Sequence, residues 1–152
     1  MRVEIRDAEE SDVAAIVADI READAIEMRL LGTDPESALL EGLQSSSWAR
    51  TALVDGVPVC MFGVACENYM LGRGVPWMLS ANGIDRVKKR FVKECRGVVD
   101  EMRQCHPVLG NVVHAENTRA IQWLKWLGFE FFGDIDLNGA TFKIFGTGQR
   151  HV

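Results

Sequence analysis

The chain has 152 residues, 47% of them hydrophobic and 26% charged, with a formal net charge of −5. That length suits one domain with a sizeable core, and the acidic balance argues against a surface built as a nucleic-acid footprint. No apolar run reaches the roughly 18 residues needed to cross a bilayer, and the charged N-terminus lacks the apolar segment of a secretory signal.

Val3 and Ile5 alternate with charged residues and predict a first strand. Val13, Ile16, Val17 and Ile20 follow at helical spacing, with Ser11 near the start. A second helical piece covers Glu22 to Leu31 and stops at Gly32. Asp34-Pro35 restarts the helix, Asp as N-cap and Pro at the first helical position, and Ala38, Leu39, Leu40 and Leu43 carry it toward Gly42. Ser45-Ser46-Ser47 reads as a loop.

The period then changes. Ala49–Val54 and Val57–Ala65 are β-rich runs joined by Asp55-Gly56, a strong hairpin signal. Leu71-Gly72-Arg73-Gly74 reads as a turn into a third run, Val75–Leu79. Ile84, Val87, Phe91, Cys95, Val98 and Met102 form one apolar stripe and predict a single long helix. His106-Pro107 ends it, because the residue before proline avoids the helical region.

Val108–Ala115 is the next strand. Asn117 is placed to cap a helix through its side-chain oxygen. Ala120, Ile121, Leu124 and Leu127 make that helix's apolar face, and Gly128 closes it. Phe129–Ile135, an Asn138-Gly139 turn and Ala140–Phe145 complete the chain, leaving a polar tail from Gly146. Cys60, Cys66, Cys95 and Cys105 lack metal-site spacing and sit among apolar neighbours, which suits reduced core thiols in a cytoplasmic protein.

The expected architecture is α/β (α+β): a mixed central sheet of about seven strands flanked by about four helices, in the order β-α-α-β-β-β-α-β-α-β-β. Residues 1–152 form one expected domain, with 146–152 as a loose tail. This order resembles the GNAT fold of N-acetyltransferases over nearly the whole chain. Asn117, Ala120, Gly128 and Phe129 keep the intervals of a pattern common in that superfamily.

A narrower resemblance lies in Pro76–Ser80, the basic helix, His106–Val113 and Trp123–Phe129. These stretches are similar to the acetyltransferase-like internal virion proteins of short-tailed phages and to related prophage proteins. That likeness implies a virion or accessory role, in the host cytoplasm or in the virion.

The superfamily resemblance implies acetyl-CoA as cofactor and a small amine as substrate where the chemistry is kept. It places cofactor contacts at Leu79, Ser80, Asn82, Gly83, Arg86 and Asn117. Two departures stand out. The segment Ser80–Arg86 has one glycine where a phosphate loop carries two, and Asp85 adds a negative charge. Many GNAT enzymes carry a tyrosine seven residues after the Asn, to protonate the thiolate; here that residue is Leu124.

Tyr69 is the chain's only tyrosine, and Tyr69 or Cys66 would have to substitute in space. Glu67, Glu116 and His114 are the candidate bases, each with a bland structural alternative. Arg86, Lys88, Lys89, Arg90, Lys93 and Arg96 fall within eleven residues and suit an anionic ligand such as CoA, or a solvated helix face. Trp123 and Trp126 widen the apolar face of their helix, as burial or a protein contact would require. These departures favour a phage-type GNAT-like protein with a degenerate acetyl-CoA site, and the alternative is an active N-acyltransferase.

Overall fold

The computed structural model describes residues 1–147. In chain order the elements are β1 (Val3–Asp7), α1 (Asp12–Ala18), α2 (Glu22–Leu30), α3 (Pro35–Ser45), β2 (Ser46–Val54), β3 (Val57–Asn68) and β4 (Arg73–Ser80). A 3-10 turn at Asn82–Arg86 follows, then α4 (Lys88–Glu94), α5 (Val98–Cys105), β5 (Val108–His114), α6 (Thr118–Leu127), β6 (Glu130–Leu137) and β7 (Ala140–Thr147). The seven strands form one sheet in the order β1-β2-β3-β4-β5-β7-β6. Every pairing is antiparallel except β4 with β5.

Both faces of the sheet are covered, so its interior strand β3 is a continuous apolar run instead of an alternating one. Met61 packs with Val13, Ile16 and Leu39 on the face of α1 and α3. Phe62 and Val64 pack with Phe91, Val98, Met102 and Leu124 on the face of α4, α5 and α6. Both tight hairpins match expectation. Asp55 and Gly56 have φ of 49° and 83°, and Asn138 and Gly139 have 52° and 81°, the left-handed pairs that such turns require.

Four expectations need correction. The serine loop does not exist: α3 runs through Ser45 and β2 starts at Ser46. Pairing with β3 holds the chain extended here, Ser46 opposite Ala65 and Trp48 opposite Val64, and two side-chain bonds add to it: Trp77 Nε1 donates to Ser46 Oγ at 2.7 Å and Ser47 Oγ bonds His106 Nε2 at 2.8 Å. The long helix is three pieces, broken at Val87 (φ −132°) and at Gly97, whose φ is +93°. All six residues of its apolar stripe are nevertheless buried. The thiols divide, with Cys60 and Cys95 buried, Cys66 half-buried and Cys105 exposed. Burial pushes the Cys60 thiol up and Cys95 up to about 12, so neither is a nucleophile. Finally, Gly146 and Thr147 belong to β7, while 148–152 lie outside the described residues.

The feature that positions the site is a fault in the sheet. β4 and β5 have eight and seven residues, yet they pair only at Arg73 with Val108 and Gly74 with Leu109. Beyond that vertex they diverge. His106 fills the space below the vertex, fully buried against Gly74.

Candidate functional site

The gap between β4 and β5 opens into a cavity of about 470 Å³ reaching from one helical layer to the other. On one side it is lined by Asp24, Glu27 and Met28 of α2, Gly42 of α3, and Trp77. On the other it is lined by Val98 and Met102 of α5, Trp123 and Leu124 of α6, and Phe129.

Backbone parity fixes what β4 shows to this gap. Gly72 O accepts from Val108 N, Pro76 O accepts from Asn111 Nδ2 at 2.8 Å, and Ser80 N donates to Asp24 Oδ2 at 2.8 Å. The even-numbered residues therefore turn their backbone polar groups toward β5. Pro76 has no N–H to offer, which a strand tolerates only on an open edge. Met78 lies between Pro76 and Ser80 on that edge and presents both its N–H and its C=O to the gap.

Two carboxylates of α2 stand at the wide end. Asp24 binds the end of β4, as above. Glu27 Oε1 accepts from His114 N at the end of β5 (3.1 Å) and from Asn117 Nδ2 (3.2 Å). Asn117 Nδ2 also reaches Asp24 Oδ1 at 3.4 Å. Burial raises Asp24 above the usual carboxylate range, outweighing the Ser80 N–H, the Arg21 charge and the Asn117 amide. Burial raises Glu27 too, and the neighbouring Asp24 adds to the effect, against the bonds from His114 and Asn117.

Asn117 is thus not the expected cap. It stands at the start of α6 but makes no side-chain capping bond. Its amide nitrogen is drawn to the carboxylates instead, which leaves its Oδ1 buried without a partner among the described residues. Trp123 Nε1 is likewise buried and unpaired, and its ring stacks on Phe91 at 5.9 Å.

The segment after β4 is largely committed to the protein's own bonds. Ala81 N donates to Val59 O, Asn82 N to Asp19 O and Ile84 N to Ala81 O. Asp85 pairs with Arg119 of α6, which holds its carboxyl below the usual range. The side chains beside this turn are cationic. Arg86, Lys88, Lys89 and Arg90 surround a shallow depression with Met1 and Asp85.

No family model matches the sequence, and no curated protein matches it significantly. Solved structures do match. The ribosomal-protein-S5-alanine acetyltransferase of Vibrio fischeri superposes with a TM-score of 0.69 at 14% identity, over 97% of this chain and 93% of that one. The aminoglycoside acetyltransferase AAC(6')-Ib, in complex with coenzyme A, gives 0.68 at 18% identity, over 98% and 96%. A variant of the spermidine N-acetyltransferase SpeG from Vibrio cholerae gives 0.67 at 14%, over 95% and 92%. The chain has the GNAT fold.

On this GNAT fold the residues expected at a site separate into two groups. Leu79, Ser80, Asn82, Gly83, Arg86, Asn117, Glu116 and His114 gather at the wide end of the gap, where the parallel strands β4 and β5 both finish. Glu67 and Tyr69 lie at the other end of β4, beside the β3–β4 turn. At about 3.3 Å per residue, the seven steps of β4 put roughly 23 Å between the groups. Cys66 pairs with Gly74 at that same far end.

Glu67 and Glu116 are exposed, and Tyr69 is 76% exposed with its ring tilted against His106. Leu124 is buried in the cavity wall. Trp123 turns into the cavity, whereas Trp126 is 46% exposed with Arg96 over its ring, so the two tryptophans do not share a surface.

Sequence reasoning missed Asp24, Glu27, Asn111 and Trp77. The available signal was Asp24 and Glu27 three apart on one face of α2, which also carries Met28. Among the described residues, no helix is long and apolar enough to cross a membrane and no group of side chains could hold a metal ion.

Proposed function

We propose that this GNAT-fold chain binds an acyl-CoA in the β4–β5 gap and transfers its acyl group to an amine. The observation that carries this reading is the cavity itself, apolar toward α5 and α6, acidic toward α2, and bordered by an unpaired strand edge. Met78's N–H and C=O suit the amides of a pantetheine arm, by the logic of strand addition. The unpaired Trp123 Nε1 would donate to a carbonyl there. Most amides of the loop after β4 are taken up internally, so the phosphates would fall mainly to Arg86, Lys88 and Lys89. A bound thioester would supply an electrophilic carbonyl and a thiolate leaving group.

Leu124 gives that thiolate no proton. A thiol of ordinary pKa, about 8.5, can leave near neutral pH without an acid, so the missing phenol slows the step without abolishing it. The test is release of free thiol from acetyl-CoA by the full chain with spermidine or kanamycin as acceptor, amines of the kinds named for its structural neighbours. Acceptor-dependent thiol release supports the reading, and release no faster than without protein contradicts it.

A second reading is a phage or prophage accessory protein that has kept the fold and lost the cofactor. Leu124 and the Asp85–Arg119 pair across the loop favour it. It predicts no acetyl-CoA binding, and self-association or a protein partner at the exposed Trp126.

A further inference from the structure

The cavity differs sharply between its two halves. The charged residues of its wall, Arg21, Asp24, Glu27 and Glu41, stand on α2, on α3 or just before α2. Among the described residues, the wall on the α5–α6 side carries no charge. Val98, Met102, Leu124, Leu127 and Phe129 form it, with Met78 of β4 packed on the same side of the sheet. Asn111 also lines the cavity, but both ends of its amide are taken, by Pro76 O and Val112 N.

An apolar hollow of this kind is costly to keep open. Interiors are close-packed, with few voids larger than a water molecule, and a group that faces empty space forgoes its dispersion contacts. Such hollows stay dry and take apolar ligands. The strand edge fixes where an occupant must turn. Pro76 lies two residues before Met78, about 7 Å along β4, and there the Asn111–Pro76 bond spans the gap. An arm laid along this edge from the cationic turn at Asn82–Arg86 has to leave the plane of the sheet at that point. One exit meets Asp24 and Glu27, and the other meets hydrocarbon.

We infer that the α5–α6 half of the cavity holds the hydrocarbon tail of the acyl donor, so that the chain takes a medium-length linear acyl thioester such as hexanoyl-CoA in preference to acetyl-CoA. This rests on the acyl-transfer reading and names its donor. The preference follows from burial: each methylene moved from water into an apolar wall is worth about fourfold in affinity. An acetyl group is too short to fill the hollow and collects little of that gain. Val98→Phe is the informative variant, because Val98 opens α5 and lines the hollow, and a larger side chain there takes up the space that the tail needs.

The experiment is calorimetric titration of the full chain with acetyl-CoA and, separately, with hexanoyl-CoA. Hexanoyl-CoA is expected to bind at least about tenfold more tightly, and in Val98→Phe that ratio should fall to within about threefold of one. Equal affinity for the two esters, or weaker binding of hexanoyl-CoA, overturns the inference and leaves the acyl-transfer reading standing. This comparison uses the wild type alone, so it holds even where the variant fails to fold. A folded Val98→Phe that keeps the full ratio overturns the inference as well, since the tail then lies elsewhere. Binding of neither ester overturns the acyl-transfer reading and the inference with it.

Discussion

Asn111 is the residue whose removal most directly probes the gap. Its Nδ2 crosses from β5 to Pro76 O at 2.8 Å, and its Oδ1 accepts from Val112 N at 2.7 Å. Asn111→Ala removes both bonds. Each is worth about 1 kcal/mol net, and Pro76 O loses its partner at a partly buried site, so the expected cost is about 2–3 kcal/mol. For a chain of this size, 1 kcal/mol moves the melting temperature by about 2–4 °C, which predicts a fall of roughly 4–12 °C. Differential scanning calorimetry at neutral pH measures it. A fall below about 1 °C would refute the idea that this side chain ties the diverging strands together.

Other outcomes follow from the same geometry. Gly74→Ala would set its Cβ 2.7 Å from His106 Cβ and Cγ at the vertex, and overpacking there should cost about 1–3 kcal/mol, visible as a lowered denaturant midpoint. Burial raises Glu27, so its contribution to stability is present at acid pH and lost as pH rises through its folded value; Glu27→Gln should melt above the wild type at pH 8, with the difference vanishing toward about pH 4. An unchanged difference across that range would contradict the assignment.

Asp12 has the opposite sign. Burial pushes it up, but bonds from Arg6, Glu9 N and Thr51, with the Arg6 charge, together hold it below its ordinary value. Its contribution is present above about pH 4 and lost as pH falls through the depressed value. Asp12→Asn should cost about 2–3 kcal/mol at pH 7, with the deficit narrowing only in strong acid, as chemical denaturation across pH would register.

Local rules made much of the fold legible. Asp55-Gly56 and Asn138-Gly139 announced their hairpins, and Asp34-Pro35 its helix start, with Asp34 accepting from Ser37 N. Periodicity marked which face of Ile84–Met102 is buried but not whether the helix is continuous. A 3-10 turn and a left-handed Gly97 let the same stripe meet the core in three segments. The serines at 45–47 had turn composition, and pairing with β3, supported by side-chain bonds to the distant Trp77 and His106, made two of them strand.

The site was harder to read because it depends on non-local geometry. Nothing in the spacing of Asp24 and Glu27 says that one reaches β4 and the other β5. Asn117 has the residue type of a cap, and it lost that role to two carboxylates 93 and 90 residues away in sequence. Leu124 was legible from its interval to Asn117, and its burial in the cavity wall gives that substitution a place.

The central claim is that the gap between β4 and β5 takes an acyl-CoA. Isothermal titration of the folded full chain with acetyl-CoA tests it most directly. The account predicts saturable one-to-one binding in the micromolar range, about −8 kcal/mol or somewhat weaker. No heat of binding at millimolar ligand, in a sample that still melts cooperatively, would contradict it.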